Sequence, residues 1–186
     1  MKDSVSTLIE KLDTPRDTVA QAAIVRLVAF GSDAVAPLMA AARDSSRPRI
    51  QKWSLQALGA IGDKRAAKIL IAALDDSRMP VRLHALRGLV RMKYTKAATR
   101  VAALLKDESG GIRGNALSAL AVLGDATVAS AVIKSFADEQ WYVRLEACRT
   151  CEALKLSRAK TALAKLAKSD ERKGVREAAK AALNAL

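Results

Sequence analysis

Aromatic side chains are scarce in this chain. Two Trp, two Tyr and two Phe make up 3% of 186 residues, so the core has to come from Ala, Leu, Val and Ile within a 51% hydrophobic share. Ala and Leu lose little side-chain freedom in a helix, which favours an all-α protein. Cysteine is almost missing: Cys148 and Cys151 sit three residues apart and form no disulfide framework, in keeping with a reducing compartment. A single histidine, His84, and the lack of a Gly-rich phosphate loop remove the commonest triad and nucleotide-binding schemes. No apolar run approaches the ~20 residues that span a bilayer. The opening Met1-Lys2-Asp3-Ser4 does not lead into a signal-peptide core, so a cytoplasmic location is expected. Acid is short relative to base. With 32 Lys and Arg against 19 Asp and Glu, the formal charge is +13. Such an excess suits an acidic partner, whether nucleic acid, an anionic membrane surface or a protein; otherwise it is a solvated surface.

What the chain has in abundance is repetition, which sets the frame before any local reading. An aliphatic residue recurs every 31 residues, at Val19, Ile50, Val81, Ile112 and Val143, and after 32 at Val175. Arginine follows four of them, at Arg82, Arg113, Arg144 and Arg176. Four residues on stands a small residue (Ala23, Ser54, Ala85, Ala116, Ala147, Ala179), and eight on Leu27, Leu58, Leu89, Leu120, Cys151 and Leu183. Asp44, Asp76, Asp107, Asp138 and Asp170 precede the copies, and Gly31, Gly62 and Gly124 follow three of them, with Lys93 and Lys155 in the glycine's place elsewhere. A second register covers the other half of each unit: Leu8-Ile9 and Leu12-Asp13 recur as Leu70-Ile71 and Leu74-Asp75.

Each unit therefore holds two helices. The A helices are expected near 4–12, 33–43, 64–75, 95–106, 126–137 and 157–168, the B helices near 15–30, 47–61, 79–92, 110–123, 141–154 and 172–185. Spacings of 0, 4, 8 and 11 lay one apolar stripe along each B helix. Asp63 and Asp125 follow glycine as caps of the next A helix, and Pro15, Pro48 and Pro80 fall in first turns, where a missing N–H costs nothing. The chain reads as one domain, 1–186, of six repeats near 1–31, 32–62, 63–93, 94–124, 125–155 and 156–186. Polar residues at both ends, Lys2, Asp3, Ser6, Glu10 and Lys11 at one, Arg172, Lys173, Glu177 and Lys180 at the other, are expected to be solvent-facing caps.

The Asp, the Val/Ile-Arg pair, the Ala-Leu-x-x-Leu run and the Gly-Asp resemble the short HEAT-like repeat, the variety also found in phycobilin lyases. The resemblance covers nearly the whole chain. It implies an all-α fold, a right-handed α-α superhelix (HEAT-like solenoid) of about twelve helices, whose B helices line a concave face. Neighbouring hairpins would bury one continuous core. The repeated Arg82, Arg113, Arg144 and Arg176 are expected to reach the repeated aspartates as a structural ladder.

Opposite the stripe, the B helices turn positions −1, +2, +3, +6 and +10 outward. This places Arg49, Lys52, Trp53 and Gln56 on the candidate binding face in the second repeat, and His84, Arg87 and Arg91 in the third. Asn115 comes from the fourth, and Tyr142, Glu146 and Arg149 from the fifth, beside Trp141. Basic groups next to rings suit phosphate contacts with base stacking, and equally a protein hot spot. Cys148 and Cys151 occupy core positions of the repeat, as small hydrophobes with no second pair to complete a metal site. The expectation is a non-enzymatic scaffold gripping a protein, with no cofactor and no metal. Nucleic-acid binding by the basic face is the alternative, followed by a HEAT-like DNA glycosylase, in which Trp53, Trp141 and Glu146 would serve, or a phycobilin lyase-type subunit.

Overall fold

The computed structural model describes residues 3–186; Lys2 lies outside them. The described residues form twelve α-helices and no strand. They fall into two compact units that part between Tyr94 and Thr95.

In the first unit the hairpins are α1 (Val5–Glu10) with α2 (Asp17–Ala29), α3 (Ser32–Arg43) with α4 (Pro48–Ile61), and α5 (Ala67–Ala72) with α6 (Met79–Arg91). The B helices pack side by side, α2 on α4 and α4 on α6, and each A helix backs its own B helix. The repeat's stripe does what its period requires. Leu27, Ile50, Leu58, Val81, Ala85 and Leu89 are all buried, against Leu8, Leu38 and Leu70 from the A side. Val19 departs from the pattern at 39% exposure; α2 is the first B helix of the described residues and packs on α4 along one flank. Gly59 and Gly88 set the closest approach between α4 and α6. A Cβ built on Gly59 would lie 2.3 Å from the Gly88 Cα, so only glycine permits this helix spacing.

The second unit repeats the plan with α7 (Ala98–Ala103) and α8 (Gly110–Leu123), α9 (Ala129–Lys134) and α10 (Trp141–Ala153), and α11 (Lys160–Ser169) and α12 (Lys173–Ala185). Ile112, Leu120, Val143, Cys148, Cys151 and Val175 are buried along its stripe. Thr150 is wholly buried, and its hydroxyl donates to the carbonyls of Leu117 at 3.0 Å and Glu146 at 2.8 Å. That removes the cost of burying it unpaired.

The A helices of the middle repeats are shorter in α geometry than their apolar pattern suggests. Lys64–Ala66 and Ala73–Asp75 flank α5 as 3₁₀ turns, and Leu104–Lys106 and Ser135–Ala137 do so for α7 and α9. A 3₁₀ end tightens the last turn and satisfies carbonyls the α ladder leaves open. Asp63 and Asp125 cap as expected, accepting from the Arg65 and Thr127 amides. Pro48 and Pro80 lie in first turns, but Pro15 stands ahead of α2, which starts at Asp17. Gly31 and Gly62 have positive φ, 55° and 77°, and Lys93 and Lys155 adopt 48° and 51° at the corresponding bends. Gly124 is extended instead, with φ −84°.

The Asp positions join successive repeats. Each accepts a backbone N–H two residues on: Asp76 from Arg78, Asp107 from Ser109, Asp138 from Gln140 and Asp170 from Arg172. In the second unit the free carboxylate edge receives an arginine from the preceding B helix. Arg113 donates to Asp138 at 2.6 and 2.9 Å, and Arg144 to Asp170 at 2.7 and 3.1 Å. One terminal nitrogen, Nη1, of each of Arg82, Arg113, Arg144 and Arg176 donates to the two loop carbonyls of its own repeat, beginning at Asp76, Asp107, Asp138 and Asp170. In the first unit Gln51 takes the arginine's place in the repeat. There Arg78 bridges Asp76 and the Gln51 side-chain oxygen.

Candidate functional site

The B helices carry the candidate residues, and each unit presents its own set. In the first unit Arg49 comes from the first turn of α4, Lys52 and Trp53 from its second turn, and His84, Arg87 and Arg91 from α6. Arg49, Arg87 and Arg91 are exposed, and Lys52, Gln56 and His84 half-buried. Trp53 is not on the open face. It is 5% exposed, with its indole N–H buried and without a partner. Its position, three residues past Ile50, lies at 300° around the helix, on the margin of the apolar stripe. A large ring there folds inward. It meets the His84 ring at 5.3 Å between centroids, and Lys52 Nζ sits 4.3 Å over it, within cation–π range. Gln56 is tied to Gln21 of α2 by a 3.1 Å hydrogen bond.

Burial pushes the His84 pKa down to about 4, with the charges of Arg87 and Lys52 adding and Asp17 opposing. The ring is therefore neutral at physiological pH. The cations around it divide into two groups. Arg47, Arg65 and Arg78 each hold a carboxylate of the same unit. Arg49, Lys52, Arg87 and Arg91 form no ion pair among the described residues. Arg49 and Lys52 line a shallow groove together with Arg78, over the apolar surface of Pro48, Pro80 and Val81.

In the second unit Tyr142 and Trp141 open α10, and both are exposed, 38% and 44%. Their rings meet edge-on at 5.9 Å. Tyr142 lies along a glycine-lined stretch of α8: a Cβ on Gly110 would meet the Tyr142 hydroxyl at 2.5 Å, and one on Gly114 the ring at 3.8 Å. Asn115 is exposed, with its amide turned back onto the Gly111 carbonyl at 2.7 Å. Glu146 accepts from the Ser118 hydroxyl at 2.7 Å and pairs with Arg149 at 3.4 Å. The two thiols are buried along the same helix. Burial drives Cys148 and Cys151 up to about 12, so both are protonated and shielded.

Two features of these surfaces escaped the sequence reading. The arginines of the loops, Arg47 and Arg78, neutralise acids in the first unit, and Gln51 standing where arginine was due is a signal for Arg78 alone. The second is the glycine bed under Tyr142, where Gly110 and Gly114 leave room for a ring that comes from the next repeat.

With the repeats and their ladder in view, the class is settled by comparison. The family model for HEAT repeats matches residues 5–90, 70–140 and 97–184, and the chain belongs to that family. A designed armadillo repeat protein in complex with the peptide (KR)4 is similar with a TM-score of 0.67 at 20% identity, covering 98% of this chain and 99% of that one. The complex of CpcE and CpcF of phycocyanin lyase from Nostoc sp. PCC7120 gives 0.67 at 20% identity, covering 96% of this chain and 75% of that one. An engineered protein gives 0.63 at 18% identity, with 98% and 96% covered. These likenesses show the helical-repeat fold. No curated protein matches the chain in sequence. No described helix is long and apolar enough to cross a membrane.

Proposed function

We propose that this chain is a non-enzymatic scaffold that holds a protein partner on the side of its B helices. The observation that carries the reading is the exposed Trp141–Tyr142 pair on its glycine bed. Trp and Tyr supply large contact area at little entropic cost and dominate protein hot spots, together with Arg. The exposed aromatic pair opens the helix that also carries Arg149, and a partner would bury the ring surface left in water. The similar armadillo design holds a peptide, which is what a helical-repeat face of this kind is suited to do.

The test is capture of partners by immobilised protein. Trp141→Ala with Tyr142→Ala is expected to remove the retained band while the helical circular dichroism is unchanged. Retention equal to wild type by a folded variant would overturn the proposal.

A further inference from the structure

We infer that the α4–α6 face of the first unit binds an extended acidic segment of the partner protein, its carboxylates pairing with Arg87 and Arg91 and with Arg49 or Lys52. This rests on the scaffold reading and adds the partner's chemistry.

The charge argument comes first. Three arginines of this unit that serve the fold have carboxylates: Arg47 with Glu10, Arg65 with Asp63 and Arg78 with Asp76. The four on the α4–α6 face have none among the described residues, and two of them, Lys52 and Arg87, lie close enough together to act on the same histidine. Like charges brought together repel, and an anionic ligand relieves that repulsion while forming charge-assisted bonds. Arginine's planar fork takes a carboxylate through two parallel N–H bonds, which fixes orientation as well as charge.

The spacing fits a strand. Arg87 and Arg91 are four residues apart on one helix, about 6 Å along its axis. Same-side residues of an extended chain are separated by about 6.6–6.8 Å. Alternate Glu or Asp side chains can therefore meet both guanidinium groups in one register. The groove lined by Arg49, Lys52 and Arg78 over Pro48, Pro80 and Val81 gives the segment's aliphatic stems an apolar floor between cations.

A nucleic acid fits this face less well. Single strands are held by stacking on open rings as well as by charge. Here the one large ring, Trp53, is buried beneath Lys52 and against His84, leaving no platform.

Fluorescence anisotropy decides it, using labelled (ED)4, (KR)4, an oligothymidylate and a short DNA duplex. At about 20 mM salt (ED)4 is expected to bind, and at about 200 mM to weaken roughly tenfold as the charges are screened. Arg87→Ala with Arg91→Ala should cost about tenfold at low salt. Lys165→Ala with Lys168→Ala, on the exposed side of α11, should change nothing. In Trp141→Phe, Trp53 is the sole tryptophan, and its emission should shift as (ED)4 settles over Lys52. Absence of (ED)4 binding at low salt overturns the inference. So does equal loss in the Lys165/Lys168 variant, or an oligonucleotide that binds more tightly through the same two arginines. If (ED)4 fails while partner capture still depends on Trp141 and Tyr142, the acidic segment is wrong and the scaffold stands.

Discussion

Replacing Arg144 with methionine tests how far the inter-repeat ladder holds the second unit together. Methionine keeps much of the aliphatic volume and deletes the charge. Arg144 and Asp170 have side chains only 10% and 3% exposed. The substitution removes two bonds to the carboxylate, at 2.7 and 3.1 Å, and two to the carbonyls of Asp138 and Glu139, at 2.8 and 3.3 Å. Breaking a buried pair from one side costs about 3–5 kcal/mol, because the other charge stays buried. Asp170 keeps the Arg172 amide and the nearby charge of Arg176, which puts the cost at the low end, ~3 kcal/mol. At about 2–4 °C per kcal/mol for a chain of this size, the melting temperature falls by ~6–12 °C.

The pH dependence gives the same experiment a second signature. Hydrogen bonds from Arg144 hold the Asp170 carboxyl below its ordinary 3.8. A folded pKa below the unfolded one contributes stability that is complete above the unfolded value and is lost as pH falls through the folded value. In the methionine variant the Arg144 share of that depression is gone, leaving the Arg172 amide and the Arg176 charge against burial, so the carboxyl protonates at higher pH than in wild type. The gap between wild type and variant should therefore be widest near neutrality and narrow below about pH 4. Thermal melts followed by circular dichroism from pH 7 to pH 3 measure it. A gap under about 1 kcal/mol at neutral pH, too small for any buried pair, or one unchanged down to pH 3, would refute the reasoning.

Four further outcomes follow from particular positions. Gly59→Ala puts a methyl 2.3 Å from the Gly88 Cα; overpacking of about 1–3 kcal/mol exceeds the ~1 kcal/mol gained in helix propensity, so urea melts should show net loss. Lys93→Gly relieves a φ of 48°, worth about 1–2 kcal/mol against ~0.5–1 kcal/mol of added chain entropy, so stability should hold or rise slightly, and a clear loss would count against strain at that bend. His84, with its folded pKa near 4 against 6.5 unfolded, should lower stability as pH drops from about 6.5 toward 4, since the unfolded chain takes up the proton first. His84→Gln should flatten that interval. Cys148 and Cys151, both fully buried, should react with a thiol reagent only after denaturant is added.

The helices were legible because the apolar stripe repeats six times, and each copy corrects the others. The reading 79–92 meets Met79–Arg91, and 141–154 meets Trp141–Ala153. The 3₁₀ ends of the A helices were not legible. A three-residue 3₁₀ turn and the last turn of an α-helix bury the same residue types and differ only in which carbonyl each amide reaches. Among the candidate residues, Arg87 and Arg91 lie opposite the stripe and are exposed, as angular position alone requires. Trp53 shows where that arithmetic fails. At the stripe's margin a side chain's size decides its direction, and a ring of this area gains more from burial than from water.

The acids of the repeat occupy the loops because the fold needs them there. Asp63, Asp76, Asp107, Asp125, Asp138 and Asp170 each hold a backbone N–H two residues on, and Asp63, Asp76, Asp138 and Asp170 also hold Arg65, Arg78, Arg113 and Arg144 rather than the exposed cations of the B face. What stands on that face is left free by the fold. Where the third repeat has Arg87 and Arg91, the fourth has Ser118 and Val122, exposed at the same two positions of α8. The scaffold thus tolerates uncharged residues there, and the arginines of α6 need another reason. Arg87→Ser with Arg91→Val imports the protein's own alternative. Exposed positions without ion pairs tolerate such changes within about 0.5 kcal/mol, so the melting temperature should be preserved. Binding of (ED)4 should disappear in the same sample. A variant that unfolds would instead make the two arginines part of the structure, and the acidic segment would lose its strongest contacts.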